Sequence, residues 1–195
     1  MRFPLTFRFK RIALAPQVYV RDADDQLQLY VKQKLMKLKE AVNVFGDEAQ
    51  TRLLYTIGAD RVLESRARYT IHDAAGVEVG ALQAMGLRSL WKLHYQIAGP
   101  GGAVLFDVRE DNPWVKVVDS LFGEIPVLGL FSGYLFNPKY NVTRPDGSLA
   151  LRLVKIPSLG GRRFQVERVA ELAADEEGAA VLSLLMMVLL QGERG

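Results

Sequence analysis

Two histidines, a run of aspartates and two clusters of cations are the side chains here whose type and spacing could do chemistry. His72 and His94 each lie in alternating sequence that reads as β-strand, and neither has a second ligand at the spacing of a zinc site. Asp22, Asp24 and Asp25 resemble the opening of a calcium loop. Leu27, however, stands where the sixth position needs glycine, and Gln33 where the twelfth needs glutamate. Glu110 and Asp111 precede a capped helix, where acids complement the helix dipole. No nucleophile elbow, Walker loop or dinucleotide fingerprint occurs, and Gly99-Pro100-Gly101-Gly102 reads as a hairpin turn. The absence of cysteine removes a thiol nucleophile, a disulfide framework and a cysteine-ligated zinc. The expectation is a non-enzyme with no cofactor, no catalytic residue and no metal ligand.

The cations carry more information. The net charge is +3 and the isoelectric point about 9.2. Residues 1–21 hold Arg2, Arg8, Lys10, Arg11 and Arg21 and no acid, and without these five the rest of the chain is slightly acidic. A second cluster follows at Lys32, Lys34, Lys37 and Lys39. One-sided positive charge attracts the phosphates of lipid or nucleic acid by the same long-range force. Leu87-Arg88-Ser89-Leu90-Trp91-Lys92 sets a tryptophan beside two cations, a composition suited to the headgroup layer of a bilayer. The candidate anionic-lipid contacts are therefore Lys32, Lys34, Lys37, Lys39, Arg88 and Lys92, with the N-terminal arm assisting. Each contributes about 1 kcal/mol near an anionic leaflet. The alternative is that they decorate an edge strand and keep it from sticking to others. The aromatic-interleaved basic platform of a single-strand nucleic-acid binder is not evident.

These side chains must be positioned by a fold whose centre is its last stretch. Ala179 to Leu190 is apolar all the way round, whereas the segments before it read as short hairpins. Twelve residues make a helix of roughly 18 Å, and a bilayer core needs about 20 apolar residues. Such a run belongs inside a protein, buried on every side, with Leu182, Leu185, Met186 and Leu189 as core positions. A sheet that encloses it must curl around it. Hydrophobic content of 49% and a mean hydropathy of +0.05 fit that enclosure. The 195 residues suit one domain with a short arm.

Turn signals punctuate the chain every eight to twelve residues from Gln17 onward. Aromatic and β-branched runs alternate with Asp22–Asp25, Gly46-Asp47-Glu48, Asp73–Gly76, Gly99–Gly102 and Pro145-Asp146-Gly147, the signature of hairpin strands. Phe3, Leu5, Phe7 and Phe9 alternate with Thr6, Arg8 and Lys10, which suits an extended strand or a membrane-surface arm. The N-terminus has no apolar stretch of the kind a secretory signal needs and reads as uncleaved. The fold class expected is mainly β: a closed antiparallel barrel of about twelve strands enclosing the hydrophobic C-terminal helix, with one additional capping helix. Residues 1–16 form the basic arm and 17–195 a single barrel domain.

A faint repeat marks two hairpins. Tyr69, Ile71, Gly76 and Leu82 each precede Tyr140, Val142, Gly147 and Leu153 by 71 positions (140 − 69). Turn chemistry alone can produce such a match. The capping helix is expected over Pro113–Phe122, with Asn112 as N-cap, Gly123 at its exit and Trp114, Val117, Val118 and Leu121 on one face. Residues 125–136 are apolar but broken by Pro126, Gly129 and Gly133. They read as a core crossing, with an exposed membrane-dipping loop as the alternative.

Tyr30-Val31-Lys32-Gln33-Lys34-Leu35, Ala67-Arg68-Tyr69-Thr70-Ile71, Asn112-Pro113-Trp114-Val115-Lys116, and Gly133-Tyr134 before Thr143-Arg144-Pro145-Asp146-Gly147 together resemble the LURP-one-related family over residues 17–191. That family is grouped with tubby C-terminal domains and phospholipid scramblases. The resemblance implies a twelve-stranded barrel threaded by a hydrophobic helix, and it implies membrane work, since tubby domains bind phosphoinositides and scramblases act with calcium. The ligand residues of neither group map onto this chain one by one. The function expected is a non-catalytic barrel that binds anionic lipid as a cytoplasmic, peripheral membrane module. The alternative is a soluble protein-interaction or small-ligand barrel with no membrane role.

Overall fold

The computed structural model describes residues 1–12, 15–32, 41–61, 67–85, 94–111, 139–158 and 161–192. Among them, twelve strands form one closed barrel: β1 (Leu5–Ile12), β2 (Ala15–Arg21), β3 (Leu27–Lys32), β4 (Val42–Phe45), β5 (Leu53–Arg61), β6 (Arg68–Asp73), β7 (Glu78–Ala84), β8 (His94–Ala98), β9 (Val104–Glu110), β10 (Lys139–Thr143), β11 (Leu149–Ile156) and β12 (Arg163–Arg168). Each strand pairs antiparallel with its neighbours in sequence, and β1 closes the ring against β12. Closure leaves no open edge for another chain to pair with. The helix α1 (Ala174–Gly192) follows the last strand. The expected capping helix at 113–122 and the apolar segment 125–136 lie outside the described residues.

Alternation builds the wall. In β1, Leu5, Phe7 and Phe9 are buried while Arg8 and Lys10 are exposed, so one face looks inward and the other to water. A ring of this many strands is too wide for side chains alone to fill, and α1 occupies the lumen. Ala179 to Leu189 are buried without a break, including Leu182, Leu185, Met186 and Leu189. Gly80 lets the helix approach the wall, because a Cβ there would lie 2.6 Å from the Ala98 carbonyl oxygen and 2.9 Å from the Ala179 Cβ. Among the described residues, no helix is long and apolar enough to cross a membrane.

The helix is fixed at both ends by charge. Its first turn carries Asp175, Glu176 and Glu177, where carboxylates complement the positive end of the dipole. Glu176 accepts a hydrogen bond from the Ala173 amide at 3.0 Å and pairs with Arg144 at 3.3 Å, satisfying one of the free amides at the helix start. At the other end the Arg162 Nη1 donates to the Gln191 carbonyl at 3.3 Å. The connections β2–β3, β4–β5, β6–β7, β8–β9 and β10–β11 therefore share the rim where α1 begins, and α1 ends at the opposite rim.

The two hairpins of the repeat pair in the same register. Tyr69 pairs with Leu82 and Tyr140 with Leu153, and the register shifts between Ile71 and His72 in one and between Val142 and Thr143 in the other. The bulge thus recurs at the same 71-residue offset. Gly76 and Gly147 close the two turns at φ +82° and +86°, backbone that glycine alone adopts without strain.

Candidate anionic-ligand interface

Outward positions of neighbouring strands fall into cross-strand rows, and one region of the wall collects cations. Arg8 lies directly opposite Arg163 on β12 and opposite Tyr19 on β2. Tyr19 in turn lies opposite Tyr30 on β3, and Tyr30 opposite Phe45 on β4. In the next row Lys10 faces Gln17, and Gln17 faces Lys32. Arg8, Lys10, Lys32 and Arg163 are all exposed, and none has an ion pair or side-chain hydrogen bond among the described residues. Two arginines directly opposed on a sheet repel one another.

Local chemistry places Arg163 there. Gly161 enters β12 at φ +132°, and a Cβ at that position would sit 2.3 Å from the Phe9 carbonyl oxygen. Only glycine admits β1 so closely, and the Phe9 amide donates to the Arg162 carbonyl at 2.9 Å. The adjacent arginines then divide their work. Arg162 lies over the Phe9 ring at 5.1 Å and caps α1, whereas Arg163 points outward to water.

An aromatic pair borders the patch. Tyr19 and Tyr30 meet edge to face at 5.1 Å and are both buried, although they stand on the outer surface. The Tyr19 hydroxyl lies 2.8 Å from Gln17 Oε1 and 3.2 Å from Glu48 Oε2. Burial first, and then the charge and hydrogen bond of Glu48, push the Tyr19 phenol up to about 12, so it stays a neutral donor. Burial also raises Tyr30.

Of the sequence candidates, Lys32 falls within this patch. Lys34, Lys37, Lys39, Arg88 and Lys92 lie outside the described residues. Arg8 and Lys10 belonged to a basic arm in the sequence, and as part of β1 they become part of the wall. Arg163 was missed. The signal for it was available: closing an up-and-down barrel forces the first strand beside the last, which brings the Arg-x-Gln-x-Glu outer face of β12 against the Thr-x-Arg-x-Lys face of β1.

The other chemistry-bearing residues are committed elsewhere. Asp22 accepts the amides of Asp24 and Gln26, each at 3.0 Å, and the Gln28 side chain at 2.8 Å, so its oxygens build the β2–β3 turn. His94 Nε2 lies 2.7 Å from Asp107 Oδ1, and Gln96 Nε2 reaches the same oxygen at 3.4 Å. Burial raises the Glu110 carboxyl. Among the described residues no group of histidines and carboxylates could hold a metal ion.

The LURP-one-related family model matches residues 27–124, a span of half the chain. The chain belongs to the LURP-one-related family. The match runs from β3 through β9, so Lys32 lies inside it while Arg8, Lys10 and Arg163 lie outside. No curated protein and no solved structure matches the chain.

Proposed function

We propose that this LURP-one-related barrel is a non-catalytic module that docks on anionic membrane surfaces through the outer face of β12, β1, β2 and β3. The observation that carries this reading is the patch of Arg8, Lys10, Lys32 and Arg163, exposed and without counter-ions among the described residues. Unpaired cations on a rigid wall cost repulsion in isolation and gain most from an external anion. Four of them contribute about 1 kcal/mol each beside an anionic leaflet, enough for reversible peripheral binding. The membrane association that the resemblance to tubby domains and scramblases implies points the same way, and the location proposed with it is cytoplasmic and peripheral. The test is sedimentation with vesicles of phosphatidylcholine alone and with phosphatidylserine added. Binding only to the anionic vesicles, weakening as salt rises, is expected. No binding at low salt would leave a soluble interaction barrel as the better account.

A further inference from the structure

Within that docking face, and resting on it, we infer that Arg8 and Arg163 form a site for one doubly charged phosphate monoester group. The two guanidinium groups come from directly opposed positions of β1 and β12, where the Cβ atoms of such pairs stand about 5 Å apart. Both are exposed. The outward positions around them hold no acid: Ile156 lies across from Arg163, Tyr19 across from Arg8, and Gln165 and Thr6 fill the row on one side. Among the described residues, Glu167 on β12 lies 3.9 Å from Arg152 and Glu48 lies 3.2 Å from the Tyr19 hydroxyl.

Two forks of N–H donors suit an anion with several terminal oxygens. A guanidinium binds two oxygens of a phosphate side by side. A monoester offers three terminal oxygens and a charge near −2 at neutral pH, its second ionisation lying near pH 6. A diester offers two oxygens and a single charge. Only the monoester both neutralises the opposed arginines and supplies enough acceptors for two forks. Lys10 and Lys32, one row away across Gln17, add attraction without changing that geometry. The group can come from a lipid headgroup or from a free phosphate, and the chemistry is the same.

The probes are methyl phosphate and dimethyl phosphate at pH 7.5, followed by the amide resonances of Arg8 and Arg163 in the full chain. Methyl phosphate should shift both resonances saturably and bind about tenfold or more tighter than dimethyl phosphate. Arg8→Gln and Arg163→Gln should each abolish that binding, and Arg152→Gln on the neighbouring wall should keep it. Arg8→Lys, which preserves charge but not the fork, should bind methyl phosphate more weakly and keep a smaller preference between the two esters. Equal affinities for the two esters, or methyl phosphate binding that survives Arg8→Gln, would overturn the inference. Phosphatidic acid and phosphatidylglycerol vesicles, compared at matched surface potential, identify the source. A preference for phosphatidic acid supports a headgroup, and methyl phosphate binding without any vesicle binding supports a free phosphate. Binding to both vesicle types without preference, together with equal ester affinities, would sink this site while leaving the docking face intact.

Discussion

The turn rim and the β12–β1–β2–β3 wall are each rich in one charge, yet they use it in opposite ways. At the rim the carboxylates are consumed by backbone. Asp47 accepts the Thr51 and Arg52 amides at 3.1 and 2.8 Å, Asp73 those of Ala75 and Val77 at 2.9 and 2.8 Å, and Asp146 that of Ser148 at 2.8 Å. These acids hold hairpins closed, which is why aspartate recurs at turns. On the wall Arg8 and Arg163 face each other with nothing described between them. Charge that folds the chain is already satisfied, and charge that is left over is available for a ligand.

Breaking the frame that both regions share should have the largest effect. Leu185 is fully buried in α1, and Leu185→Asp places a carboxylate in an apolar enclosure with no partner. The cost matches or exceeds the whole stability of a domain, about 5–15 kcal/mol, so soluble expression and native circular dichroism should both be lost. A soluble, native-like variant would show that the helix is not the core.

Next come the rim carboxylates. Asp73→Ala strands two amides of the β6–β7 turn and should destabilise by about 1–2 kcal/mol, read as a lower urea midpoint with an unchanged slope. Vesicle binding should be untouched. The wall should behave the other way round. Removing the repulsion in Arg8→Gln/Arg163→Gln should leave stability unchanged or raise it by roughly 0.2–1 kcal/mol, while binding falls. Loss of stability in that double variant would mean the arginines are structural after all.

The smallest effect separates the regions by pH. Hydrogen bonds from the Thr51 and Arg52 amides hold the Asp47 carboxyl below its ordinary 3.8, and those from Ser148 do the same for Asp146. A depressed carboxyl stabilises the fold above its unfolded pKa, and that stability is lost as pH falls below about 3.8 through the folded value. Urea midpoints between pH 5 and pH 2 should fall less steeply in Asp47→Asn than in the unaltered chain. The wall variants should show the unaltered slope.

The rim was legible in the sequence because turn chemistry is local: Asp73 and Gly76, or Asp146 and Gly147, declare a hairpin within four residues. The buried helix was equally plain, since a continuous apolar run from Ala179 to Leu190 needs no partner to be recognised. Strand β1 was visible as alternation, but its partners were not. Which residue faces Arg8 depends on the register between the two ends of the chain, 155 positions apart (163 − 8), and no local pattern records it. The site is for that reason less legible than the fold. Arg8, Lys10 and Lys32 were in view and Arg163 was not, because the row that gathers them exists only once the barrel closes.

The most direct test of the central claim is sedimentation with phosphatidylserine vesicles across a salt series, comparing the unaltered chain with Arg8→Gln/Lys10→Gln/Lys32→Gln/Arg163→Gln. At about 1 kcal/mol per cation, losing four should weaken binding on the order of 1,000-fold and flatten its salt dependence. Undiminished binding by the quadruple variant would contradict the account.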